Sequence, residues 1–464
     1  MSDAKKDITF LLKATVNRKK GKVLFAQVDS AFADVLLSFL TLPLGTIVKT
    51  LKKHHEDVLQ EFGSLTSLYT GLANLDSVHF WGGEGAKSIL LHPKSSFDAD
   101  RQRLKLDISD SPPLEYFDCP KKCRSFARFK SISMYYDKPE YCRYCGSSPM
   151  NREVAKNEVQ TAPCDDGVFM KKTSSFLLTD DLYIMPNAGL LQIARVLGDI
   201  DMDEAETLNV TFELHEVLRL LMFSLISKNP LSIIILNAHL EYKKVTEFTE
   251  NVSNYNSKKM NLKLVVQKST KKLLYAEAEE DFVDFLFSFL IIPLCRVKYL
   301  LLRMFPNSRD KAIDNLFMSA IDCIHDKYYK HPDAKNWLMT LNIRHGYILK
   351  NHILPLTEEE LPEIYRNVDW LRSTNFPNGQ GNYLIGPRTY KVTDDLTVTP
   401  FCIVSILSNL NENNIPMSDV EEVELQIRLK EGLSILKASL TSKCALTDAL
   451  LSQVMNRQPT REQG

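Results

Sequence analysis

The chain repeats itself, and a repeat constrains a fold more than any composition does, because each copy must bury the same faces against the same partners. Residues 12–44 read LKATVNRKKGKVLFAQVDSAFADVLLSFLTLPL and residues 262–294 read LKLVVQKSTKKLLYAEAEEDFVDFLFSFLIIPL, with 14 of 33 positions identical at a constant offset of 250. A second pair lies further on. Thr179-Asp180-Asp181-Leu182 with Pro186 returns as Thr393-Asp394-Asp395-Leu396 with Pro400, an offset of 214, and 214–236 matches 429–451 at 10 of 23 positions, an offset of 215. Each half thus has a front and a back segment. Asp34 to Thr179 spans 145 residues and Asp284 to Thr393 spans 109, so the first half carries 36 extra residues between them.

The front segment predicts a hairpin followed by a helix. Residues 8–16 and 22–28 are β-rich runs joined by Asn17-Arg18-Lys19-Lys20-Gly21, a sequence suited to a tight turn. Phe32, Leu36, Phe39 and Leu40 then recur at helical spacing, as do Phe282, Leu286, Phe289 and Leu290, until Pro43 or Pro293 breaks the pattern. Such a stripe is a core face. The back segment predicts a β-like stretch over 175–186, a short helix at 190–197, a strand at 207–213 and a longer helix from Leu214 to Ser227. The fold class is therefore α+β, a tandem duplication of a hairpin-helix front and a strand-helix back. The polar run 251–260 is the linker between a first half, 1–250, and a second half, 261–455, with 456–464 as a tail. Residues 374–387, around Pro377-Asn378-Gly379, have the composition of a mobile surface excursion.

These elements together, the LKL hairpin, the F-x-D-x-L-x-S-F-L-x-x-P-L helix, the TDDL element and the closing L-x-x-S-L-x-S-K-x-x-L helix, resemble the plant family catalogued as domain of unknown function six-seven-four. The resemblance covers essentially the whole chain. It implies a plant protein with a duplicated fold and brings no activity, substrate or catalytic residue with it.

The extra residues of the first half hold the most chemical motif in the chain. Cys119, Cys123, Cys142 and Cys145 form C-x3-C-x18-C-x2-C, close to the spacing of a zinc ribbon, at about 115–150. Four thiolates close a tetrahedral shell, so the zinc they imply is structural and leaves no position for an activated water. The second half has no equivalent, so the shared fold does not require the metal. From Cys119 to Cys145, seven Lys and Arg residues face Asp137 and Glu140, a local charge of 7 − 2 = +5 with Phe126, Phe129, Tyr135 and Tyr136 interleaved. Phosphate contact and base stacking by this insertion is one reading; offsetting the net −2 of a zinc-thiolate centre is the other.

Several catalytic patterns fail at the residues that matter. Gly82-Gly83-Glu84-Gly85-Ala86-Lys87-Ser88 has Trp81 and Ala86 where a phosphate loop needs glycine, and reads as a solvent loop. His215-Glu216 lacks a second histidine, since position 219 is Arg219. The Thr-Asp-Asp pairs suit turn capping better than acid–base chemistry.

Overall balance excludes long-range steering toward polyanions, because Lys+Arg 57 against Asp+Glu 58 leaves −1. The charged N-terminus has no signal-like apolar core, and nine cysteines are an odd number, so an intracellular, cytoplasmic or nuclear setting with reduced thiols is expected. The apolar runs 35–48 and 285–305 read as buried amphipathic helices rather than membrane spans. These readings favour a non-enzymatic interaction or scaffold protein with unidentified protein partners. An enzyme with its site between the halves is the alternative, and nucleic-acid binding by the insertion comes third.

Overall fold

The computed structural model describes residues 8–54, 63–101 except 82, 103–109, the strands at 116–118, 131–132 and 151–153, 167–187 except 173, 204–239, 258–306, most of 311–358, and 382–455. The first half opens on the hairpin β1 (Phe10–Asn17) and β2 (Lys22–Asp29), turned at Gly21, whose φ of +58° is accessible to glycine without strain. Asp29 then caps α1 (Ser30–Phe39) by accepting from the Phe32 N–H at 2.8 Å. Pro43 separates α1 from α2 (Leu44–His54), and α3 (Leu65–Asn74), α4 (Glu84–Leu91) and α5 (Asp98–Arg101) follow. Three short strands, β3 (Tyr116–Asp118), β4 (Ser131–Ile132) and β5 (Asn151–Glu153), make a separate small sheet. The half closes with β6 (Ser175–Thr179), β7 (Ile184–Pro186), β8 (Ala205–Phe212), α6 (Leu214–Ile226) and α7 (Pro230–Leu236).

The second half runs β9 (Met260–Gln267), β10 (Leu273–Glu279), α8 (Glu280–Ser288), α9 (Leu294–Met304), α10 (Ala312–Met318), α11 (Ala334–Thr340), β11 (Thr389–Val392), β12 (Val398–Pro400), α12 (Ile403–Glu412), β13 (Val420–Ile427), α13 (Leu429–Thr441) and α14 (Ala445–Met455). Two five-stranded antiparallel sheets result, ordered β7-β6-β2-β1-β8 and β12-β11-β10-β9-β13. The registers correspond too: Lys13 faces Gln27, and Lys263 faces Glu277. The architecture is mixed α and β with local hairpins, and one apolar core takes in buried residues of both halves.

The two halves meet at their own equivalent residues. Pro43 bridges Pro293, the Leu44 N–H donates to Ile292 O at 3.0 Å, and the Leu294 N–H donates to Leu42 O at 2.9 Å. A residue that pairs with its own counterpart lies on a local two-fold axis. The proline of each half directly precedes a helix, α2 or α9, and, having no N–H to donate, leaves the flanking residues to make this inter-half ladder.

Away from the axis, each half lends a segment to the other. Helix α3 packs toward the second half: Ser64 Oγ donates to Ser442 O at 2.7 Å, and the Trp81 N–H donates to Tyr383 O at 2.8 Å. Helix α10 packs toward the first half in the same way, with the Ala312 N–H donating to Ser227 O at 2.8 Å and the Lys171 N–H to Tyr328 O at 3.0 Å. The strand-like bridges Phe80 to Leu384 and Met170 to Tyr329 are related by 384 − 170 = 214, the back-segment offset, and 329 − 80 = 249, one short of the front-segment offset.

Two local expectations are corrected. Residues 84–91 form helix rather than a solvent loop, and Lys87 is buried, its Nζ donating to Ala73 O at 2.8 Å. The far end of the 374–387 stretch is not a surface excursion, since Tyr383 and Leu384 are fully buried in the bridge to Phe80. In the first case Gly83 turns the chain into the helix with φ of +62° and open space about it, and in the second Gly386 leaves room for the Glu280 side chain, so neither glycine makes its whole segment a solvent loop.

Candidate functional site

Each exchanged bridge is organised by a buried aspartate on the helix after the hairpin. Asp34 accepts the backbone N–H groups of Val168, Phe169 and Met170 at 2.6, 3.1 and 2.8 Å, and Asp284 accepts those of Tyr383 and Leu384 at 3.2 and 3.0 Å. Burial pushes the Asp34 carboxyl up to about 6 against the pull of those amides and of Lys330, and burial raises Asp284 well above the usual carboxylate range. Their carboxylate oxygens serve the backbone, so they hold loops rather than face a substrate.

The Thr-Asp-Asp elements do the same work elsewhere. Leu182 and Leu396 take φ of +59° and +64°, and the Tyr183 N–H donates to Thr179 Oγ1 at 2.9 Å, which closes the turn. Asp180 accepts from the N–H and Oγ of Ser232 at the start of α7, and Asp394 accepts from the N–H and Oγ1 of Thr447 at the start of α14. Burial raises Asp180 to about 6. The first aspartate of each pair ties the turn to a helix start, and Thr179 and Thr393 bond the second, Asp181 and Asp395.

One junction between the halves carries ionisable groups that the other lacks. His79 Nδ1 lies 2.9 Å from Arg388 Nη1 and 3.2 Å from Tyr390 Oη, while the Arg388 N–H donates to Glu280 Oε2 at 3.1 Å. A guanidinium only donates, so Nδ1 is the acceptor and the imidazole is neutral; burial and then Arg388 lower its pKa. Burial holds the Tyr390 phenol protonated, pushed up to about 12. Gly386 leaves room for the Glu280 carboxylate, which a Cβ at that position would displace. At the pseudo-equivalent junction, Tyr328 stands edge-on to Phe176 at 6.3 Å. Sequence reasoning missed this group, whose members lie about 310 residues apart. Their bonds to one another make it a polar latch between halves.

The surface offers a different feature on α12. This helix joins β12 to β13, the two edges of one sheet, and turns Ile406 and Leu410, four residues apart, inward. Its other side shows Ile403, Val404 and Leu407, with Met417 beyond the helix end; they are 63%, 69%, 42% and 65% exposed. Four of the six exposed large hydrophobics among the described residues thus fall within 403–417. Ser405, Ser408 and Asn409 beside them are exposed and uncharged. The corresponding stretch of the first half, 188–203, lies outside the described residues.

Cys119, Cys123, Cys142 and Cys145 also lie outside the described residues. The strands around them do not: β3 pairs with β5, Asp118 opposite Asn151, and with β4, Phe117 opposite Ser131. Among the described residues, no group of three or more His, Cys, Asp or Glu side chains is placed to hold a metal, and no helix is long and apolar enough to cross a membrane.

Comparison with known proteins gives one match. No curated protein and no solved structure matches the chain. A family model described as "Protein of unknown function (DUF674)" matches residues 6–430 and again 378–463. That span takes in both sheets, both buried aspartates and both Thr-Asp-Asp turns, and the chain belongs to this family of proteins of unknown function.

Proposed function

We propose that the chain is a tandem duplication that acts as a non-enzymatic protein-interaction or scaffold protein, with a structural zinc site in its first half. The observation that carries the interaction reading is the run of exposed apolar side chains on α12 and at Met417. Large apolar groups clustered at a surface and rimmed by neutral polar ones are the composition of an interface centre. The aspartates that a catalytic reading would need are committed to backbone amides and helix starts. The test is quantitative cross-linking in cells that make the protein, comparing the wild type with Val404→Ser/Leu407→Ser. Both positions are exposed, so the fold should be unaffected, and a partner held at near-stoichiometric yield should be lost. An identical set of cross-linked proteins for both forms would sink the reading.

The zinc reading is supported by the pairing of β3 with β5. Cys119 directly follows Asp118, which pairs with Asn151, and Cys145 precedes Asn151 by six residues, so the chain flanking both cysteine pairs starts from one end of the same small sheet. Bound zinc would fix the insertion and leave the shared fold unaltered. Mass spectrometry of the purified protein should find one zinc per chain, absent from Cys142→Ser/Cys145→Ser. Metal-free wild-type protein that was kept reduced and away from chelators would reject the site.

A further inference from the structure

We infer that His79 and Arg388 form a proton-gated latch, which loosens one of the two exchanged junctions when the imidazole gains a charge. The junctions share one backbone ladder. The Trp81 N–H donates to Tyr383 O at 2.8 Å and the Ile385 N–H to His79 O at 2.9 Å; at the counterpart the Lys330 N–H donates to Phe169 O at 2.8 Å and the Lys171 N–H to Tyr328 O at 3.0 Å. These bonds correspond one to one, since 385 − 171 = 383 − 169 = 214 and 328 − 79 = 330 − 81 = 249. What differs is the set of side chains beside the ladder. His79, Arg388, Tyr390 and Glu280 stand where the counterpart has Tyr328, Ser174, Phe176 and Ser30, none of them an imidazole, guanidinium or carboxylate.

With Nδ1 accepting from Arg388, the neutral His79 ring carries its proton on Nε2, so an added proton enters at Nδ1, the atom that the guanidinium faces at 2.9 Å. Protonation turns that acceptor into a second donor and sets two cations in contact, and the contact must open. His79 and Arg388 are both partly exposed, so protons reach them from solvent. The carboxylates around the pair are Asp76, on the turn before His79, and Glu280, Asp281 and Asp284 on α8. Asp76 opposes the lowering that burial and Arg388 impose on the imidazole and does not cancel it. The folded value lies below the ordinary 6.5, so the latch is whole above 6.5 and weakens as pH falls from there through the folded value. Asp284, whose carboxyl accepts the Tyr383 and Leu384 N–H groups of the same junction, acts in the opposite sense because burial raises it.

The test is amide hydrogen exchange of the full chain at pH 7.5 and pH 5.5, read as protection factors at Trp81 and Ile385. His79→Gln keeps an acceptor for Arg388 and does not titrate, so comparing it with the wild type at each pH removes the contribution of Asp284. The ratio of wild-type to His79→Gln protection should fall at least about threefold on acidification, the order of one net hydrogen bond. In an Arg388→Gln background the same ratio should stay constant, because an amide can donate to the neutral ring and accept from the charged one. Protection at Lys171 and Lys330, where Asp34 is the buried carboxylate, should be the same with and without His79→Gln. A constant ratio in the wild-type background overturns the latch. So does a fall that persists with Arg388→Gln, or an equal fall at Lys171 and Lys330, which would be loosening of the whole molecule. Should His79→Gln fail to fold, the His79 titration followed by NMR decides: it should move up in Arg388→Gln, and an unmoved titration overturns the proposal.

Discussion

Replacing Asp34 with alanine is expected to cost roughly 3–9 kcal/mol of folding stability, because three buried backbone donors lose the Asp34 carboxylate at once and each unsatisfied donor costs about 1–3 kcal/mol. The loss is not confined to one half. Val168 to Met170 form the loop that bridges Tyr329, so the variant should also loosen the segment lent by the second half. The penalty depends on pH with a sign opposite to that of an ion-paired aspartate. The folded carboxyl titrates near 6 and its ordinary value is 3.8, so the folded state holds the extra proton between these limits. The stabilising contribution of that proton is complete below the unfolded value and is lost as pH rises through about 6, a change on the order of 3 kcal/mol. Urea unfolding at pH 5 and pH 7.5 should therefore show a wider gap between wild type and Asp34→Ala at pH 5. A constant gap would mean that Asp34 is already ionised throughout this range.

The second large effect is expected at Gly63, which precedes α3 at the point where that helix crosses to the other half. A Cβ at this residue would lie 2.6 Å from Ser439 O and 2.9 Å from the Leu440 carbonyl carbon, both backbone atoms, and φ is +63°. Neither neighbour can rotate away, so Gly63→Ala should cost upward of about 3 kcal/mol, of which left-handed strain accounts for about 1–2. Gly21→Ala is the control. It has φ of +58° with nothing within 4 Å of the added carbon, so it should show the strain alone. Limited proteolysis should cut 63–81 faster in Gly63→Ala and leave it protected in Gly21→Ala. Similar behaviour of the two variants would show that α3 is not anchored by this contact.

The sequence was most informative where the same physics acts twice. The hairpins, the proline-broken helices and the turn role of Thr179-Asp180-Asp181 and Thr393-Asp394-Asp395 all follow from local periodicity and side-chain chemistry. Asp34 and Asp284 carried a readable signal as well, a carboxylate recurring among aromatic residues on a buried helix face, which demands a buried partner. What periodicity cannot specify is which half a segment packs against. Helix α3 has an apolar face that would suit either half, and it is the contacts of Gly63 and Ser64 with 439–442 that show which one it takes. The exposed side of α12 was hidden for a related reason: Ile403, Ile406, Leu407 and Leu410 read as one helical stripe, yet only Ile406 and Leu410 are covered.

The reciprocal loan of α3 and α10 also bears on how the molecule can change. A unit completed only by its twin must find that twin in solution, and its integrity then depends on concentration. Joined in one chain, each borrowed segment is held at an effective concentration set by the linker, so assembly no longer limits folding. Within one chain two corresponding positions need not carry the same residue. His79 lies against Tyr390 on one side and Tyr328 against Phe176 on the other.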